Sequence, residues 1–111
     1  MTDSAAAASS DRLVMLEKVL GAGSDDPFHH YAHAMELRSL GRDEDALSAY
    51  ADVRSRYPDY VATYLMAAQL AQELERDDVA REWAESGIEK AKTAGEDRAV
   101  SELSQLLALL D

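Results

Sequence analysis

The residues with the most chemical potential are His29, His30 and His33, the only histidines in a chain of 111 residues that contains no cysteine. His29 and His33 stand four apart and share one face of a helix, a spacing that suits two imidazoles holding a divalent metal. Asp25, Asp26 and Glu36 are the nearest candidates for a third ligand. The pattern is not that of a zincin, because His30 rather than a glutamate follows the first histidine of the pair. The competing reading makes His30 and His33 packing imidazoles in or near the core. We take that as the first expectation, with no metal or cofactor, and keep a metal-binding or metal-regulated protein using His29 and His33 as the alternative.

Other routes to catalysis find little in the sequence. Without cysteine there is no thiolate nucleophile and no disulfide. No serine lies in a Gly-x-Ser-x-Gly turn, and Gly21-Ala22-Gly23 follows a helical pattern without the Gly-Lys-Ser/Thr of a phosphate loop. The 22 acidic residues fall on polar helix faces and at helix starts. Acid–base chemistry needs two carboxyls whose environments push their pKa values apart, and the spacing suggests no such pair. The chain is expected not to be an enzyme.

Charge narrows the partners. Eleven basic against 22 acidic residues give a formal net charge of −11, which opposes binding to nucleic-acid phosphates and to anionic lipid. No apolar run approaches the roughly 18 residues of a membrane span. Residues 1–10, MTDSAAAASS, carry Asp3, no basic residue and no leucine-rich stretch, so they read as a disordered tail rather than a secretory signal. A cytoplasmic setting is expected, with residues 11–111 forming a single domain.

Nearly everything after residue 10 has helical spacing, in an Ala-, Leu-, Glu- and Arg-rich composition that favours helices. Leu13, Leu16, Val19 and Leu20 share a face of a first helix, 11–20, capped by Ser10 or Asp11. Asp26 and Pro27 open a second helix that runs to about Leu40, where Gly41 supplies a left-handed stop. Further helices are predicted over 44–57, 60–74, 78–92 and 96–110, the first three capped by Asp43, Asp59 and Asp77. Connections of two to five residues make neighbouring helices antiparallel.

Laying 27–58 over 61–92 gives five identities: Ala34/Ala68, Leu40/Leu74, Arg42/Arg76, Asp43/Asp77 and Ala46/Ala80. They fall at close-approach alanines and at equivalent turns. The offset between the two copies, a helix–turn–helix period of roughly 34 residues, is that of the tetratricopeptide repeat. The first copy resembles this family in Ala34, Leu37, Gly41, Ala46, Tyr50 and Pro58, and departs from it at His30 and His33. The second matches in Tyr64, Ala68 and Ala80, but Glu75 stands where the turn glycine belongs, Ala84 replaces the aromatic and Lys92 the proline. The resemblance implies an all-α superhelix of six antiparallel helices, with repeats 27–60 and 61–94 between flanking helices 11–20 and 96–110. Each flank seals an otherwise bare repeat end.

The resemblance also implies a concave groove lined by the first helix of each repeat. Projected here, that face is Phe28, Tyr31, Met35 and Arg38, then Leu65, Gln69 and Gln72. Aromatic, Met and amide side chains suit a peptide in extended or helical form. The competing reading buries Phe28, Tyr31 and Met35 under helix 11–20. Some members grip a C-terminal carboxylate with lysine and asparagine; Tyr31 and Met35 occupy those places, so that clamp is not expected. Tyr50, Tyr57, Tyr64 and Trp83 are expected to pack. Leu109 cannot share a face with Leu103, Leu106 and Leu110, so it is expected to be exposed and to support a homodimer through helix 96–110. The reading as a whole is a non-catalytic protein-interaction module, an adaptor or assembly factor of a bacterial cytoplasm, whose partner is a protein or peptide rather than nucleic acid or membrane.

Overall fold

A computed structural model describes residues 8–110. The expected disordered tail lies, for residues 1–7, outside the described residues. Six helices lie among the described residues: α1 Asp11–Gly21, α2 Pro27–Ser39, α3 Asp43–Arg56, α4 Ala62–Glu73, α5 Asp77–Ala94 and α6 Asp97–Leu109. No strand occurs among the described residues. The chain divides into two compact units, one ending at Arg56 and the other beginning at Tyr57.

In the first unit the predicted starts of α1 and α2 hold. The Ser10 hydroxyl accepts from the Leu13 N–H at 2.9 Å, and Asp26 accepts from the Phe28 N–H at 2.9 Å with Pro27 in the first helical position. Residues 8–10 are tied down rather than loose. Arg42 Nη1 donates to the Ala8 carbonyl at 3.0 Å, and the Ser10 hydroxyl donates to Glu36 at 2.8 Å. α1 packs on α2 through buried Leu13 and Leu16, and α2 packs on α3, with Ala34, Leu37, Ala46, Tyr50 and Val53 buried.

The turn after α2 and the turn after α4 share one hydrogen-bond lattice. Arg42 N–H reaches Leu37 O at 2.9 Å and Gly41 N–H reaches Arg38 O at 3.0 Å. One repeat later, Arg76 N–H reaches Ala71 O at 2.9 Å and Glu75 N–H reaches Gln72 O at 3.0 Å. Gly95 and Glu96 repeat the pattern after α5. This Schellman turn needs a left-handed residue, supplied by Gly41 at φ 76°, Gly95 at φ 71° and, without glycine's freedom, Glu75 at φ 59°.

The same turns correct the predicted caps. Asp43 and Asp77 are the first helical residues rather than caps. The helices open instead with Ala46 N–H on Arg42 O at 2.9 Å and Ala80 N–H on Arg76 O at 3.0 Å. The turn leads straight into the next helix, so the two carboxylates meet the positive end of its dipole instead. Asp59 does not cap α4 either. That helix starts at Ala62 after a turn closed by Tyr60 N–H on Tyr57 O at 3.0 Å, and Asp59 pairs with Lys90 at 3.1 Å.

In the second unit α5 lies against both α4 and α6, and α4 also touches α6. Tyr64 anchors the contact. Its hydroxyl donates to the Pro58 carbonyl at 2.6 Å, and its ring meets Trp83 edge-on with centroids 5.7 Å apart. Gly87 comes so near that a Cβ there would stand 2.5 Å from Tyr64 Cβ. α6 buries Leu103 and Leu106, as does the chain at Leu110 just after it, and Leu109 is left 76% exposed. Of the aromatic residues expected to pack, Tyr50, Tyr64 and Trp83 are buried, whereas Tyr57 is half-buried.

Candidate functional site

Helix α1 does not cover the predicted face of α2. Phe28 is 53% and Met35 41% exposed, and with Tyr31 and Ala32 they line a concavity of about 350 Å³. Tyr31 is half-buried, its ring tilted against that of Tyr50 with centroids 6.3 Å apart. The rim is polar. Arg12 of α1 sits 3.4 Å from the Glu36 carboxylate, which the Ser10 hydroxyl also reaches. That carboxylate is therefore satisfied, and the Arg12 guanidinium, 58% exposed, keeps much of its fork in water. Phe28, Met35 and Ser39 share one exposed stripe of α2, and the small, buried Ala32 beside them leaves room for the concavity.

Arg38 is half-buried and lies outside that concavity. In the second unit, Leu65, Gln69 and Gln72 are half-buried on α4. Leu65 lines a different hollow, of about 400 Å³, which also takes in Val61, Ala62 and the start of α6. Gln69 and Gln72 lie outside it. Sequence reasoning treated the start of α6 only as part of a sealing helix. No local signal could have found the hollow, because Leu65 and Ala99 lie on helices that are not consecutive in the chain.

The histidines serve the first unit's loop and interface. His29 Nδ1 is 2.7 Å from the Ser24 hydroxyl, and His30 Nε2 donates to the Ser24 carbonyl at 2.9 Å, so two imidazoles hold the connection between α1 and α2. His33 Nε2 is 3.9 Å from Glu17 of α1. Burial lowers the His33 pKa, the nearby Glu17 carboxylate opposes it, His30 and Arg42 add to the lowering, and Asp52 works against it. His29 instead faces Asp26 at 3.8 Å. His29 and His33, the pair of the alternative metal reading, thus turn to different carboxylates, and among the described residues no group of three histidine, aspartate or glutamate side chains is placed to hold a metal. His30 and His33 do line one small polar hollow of about 230 Å³ with Ser24, Asp25, Asp52 and Arg56.

No described helix is long and apolar enough to cross a membrane. No protein-family model matches the chain, and no curated protein matches it. Solved structures do. A solution structure of a tetratricopeptide repeat domain protein from Salinibacter ruber is 32% identical over 78% of this chain and 88% of that one, with a TM-score of 0.74. A crystal structure of the tetratricopeptide repeat domain protein from the same organism is 32% identical over 78% of this chain and 96% of that one, with a TM-score of 0.71. A solution structure of a protein from Bordetella parapertussis shares the fold at 22% identity, covering 92% and 89% of the two chains with a TM-score of 0.78. The turn lattice that recurs from one helix pair to the next and the identity with the Salinibacter domain agree: this chain belongs to the tetratricopeptide repeat family.

Proposed function

We propose that the chain is a non-catalytic interaction module, an adaptor or assembly factor of a bacterial cytoplasm, that binds a peptide of its partner on the open face of α2. The observation that carries this reading is the exposure of Phe28 and Met35 beside Tyr31, in a concavity that the neighbouring helix leaves uncovered. Large apolar side chains grouped at a concave surface mark interaction sites more often than scattered single ones do. Methionine adapts to the shape of a ligand, and tyrosine adds area with little entropy to lose. The same reading gives Leu65, Gln69 and Gln72 the equivalent role on α4 of the second unit, with Arg38 at the edge of the first. The homodimer expected through the last helix rests on Leu109 alone, and the net charge of −11 weighs against self-pairing.

The test is selection of binding peptides from a displayed library, followed by calorimetry. A Tyr31→Ala/Met35→Ala double variant is expected to lose at least tenfold in affinity for the selected peptides while keeping its helical spectrum. Equal affinity in the double variant would refute the assignment.

A further inference from the structure

The hollow at the start of α6 differs in character from the one on α2. Its floor is apolar, formed by Val61, Ala62, Leu65 and Ala99. Its rim carries Glu96, Asp97 and Glu102 against a single cation, Arg98, and all four are exposed. Further along α6, on the stripe of Arg98 and Glu102, stands Leu109, 76% exposed. Seven residues separate Glu102 from Leu109, two helical turns.

We propose that this hollow is a docking site for a basic amphipathic segment of a partner protein, which seats an apolar side chain on Leu65 and Ala99 and sets lysines or arginines against Glu96, Asp97 and Glu102. Charge complementarity selects this occupant. Three carboxylates against one guanidinium leave the rim at −2, in a chain of net charge −11 that attracts cations over a distance of about a Debye length. An acidic ligand, or a second copy of this chain, would bring like charges together there. The apolar floor separates the site from a merely solvated acidic face, because desolvation of the seated side chain supplies affinity and the carboxylates supply selectivity. An amphipathic helix laid along α6 would also reach Leu109, since helical ligands present anchors about two turns apart. Through Leu65 the site rests on the role proposed above for α4, but it shares no residue with the face of α2, so a variant of Tyr31 and Met35 leaves it intact.

The probe is a synthetic amphipathic helix of leucine, alanine and lysine, compared with its counterpart carrying glutamate for lysine, titrated into the full chain and followed by amide and methyl NMR. The lysine peptide is expected to shift Leu65, Ala99 and Leu109, and the glutamate peptide to shift none of them. A Glu96→Gln/Asp97→Asn/Glu102→Gln variant should bind the lysine peptide about tenfold more weakly, the order expected for three exposed charge contacts. Ala62→Phe fills the hollow from an exposed position and should weaken binding with all charges intact. Shifts spread over the acidic starts of α3 and α5 instead, unchanged affinity in either variant, or no binding would each overturn the proposal.

Discussion

Replacing Gly87 by alanine sets two effects of opposite sign against each other. In a helix interior alanine is favoured over glycine by about 1 kcal/mol. Against this, the new Cβ would lie 2.5 Å from Tyr64 Cβ, 3.2 Å from Tyr64 Cγ and 3.0 Å from Leu103 Cδ1. Leu103 could swing a methyl aside, but Tyr64 is held at both ends, by its helix and by its hydroxyl on the Pro58 carbonyl at 2.6 Å. The relief must therefore come from moving α5 away from α4, and overpacking of this kind costs about 1–3 kcal/mol or more. With the contact this short we place the cost near 3 kcal/mol, for a net destabilisation of about 2 kcal/mol once the helix preference of alanine is subtracted. That corresponds to a fall in Tm on the order of 10 °C for a domain of this size. Gly21→Ala is the matched control. It also lies in a helix, but nothing stands within 4 Å of its Cβ, so there the gain of up to about 1 kcal/mol is unopposed. Thermal melts by circular dichroism should move in opposite directions for the two variants. A Gly87→Ala protein that melts higher than wild type would mean that α4, α5 and α6 do not meet as described.

Three further outcomes follow from the same structure. Glu75→Gly relieves the left-handed backbone at φ 59° and should raise stability by about 1 kcal/mol, read as a shifted urea midpoint; Glu75→Ala should give no such gain. Burial lowers the His33 pKa from an unfolded value near 6.5, so its full contribution is present above about pH 6.5 and is lost as pH falls through the lowered folded value. The stability difference between wild type and His33→Gln should therefore shrink between about pH 8 and pH 5, and a constant difference would contradict the burial. Ending the chain after residue 94 removes α6 and with it the buried Leu103, Leu106 and Leu110, each worth about 2 kcal/mol of burial. The fragment should lose its cooperative melt, whereas a melt near that of the full chain would show that α6 seals nothing.

The helices and the repeat were legible because they rest on strong local signals. Apolar residues at helical spacing, Gly41 and Gly95 at left-handed turns, and Asp26-Pro27 at a start each act within a few residues. The caps assigned to Asp43 and Asp77 were one residue out, because the closing turn of one helix supplies the first carbonyl of the next and leaves no extended cap residue. Glu75 was legible as a departure from the repeat, yet its left-handed backbone became visible only with the turn lattice. The candidate surface was less legible. Periodicity places Phe28, Tyr31 and Met35 on one side of α2 but cannot say whether α1 lies over them; that depends on where α1 crosses, a position that the Arg12–Glu36 contact marks. The hollow at the start of α6 escaped for a similar reason, since Leu65 and Ala99 stand on helices separated by the whole of α5 and meet only through the packing of α4 with α6.

The claim that α2 presents an open binding face is tested most directly by methyl NMR of Met15, Met35 and Met66 during titration with a peptide selected against the full chain. The Met35 methyl should move and saturate with the peptide while Met15 and Met66 stay in place. A peptide that binds and leaves Met35 unmoved would contradict it.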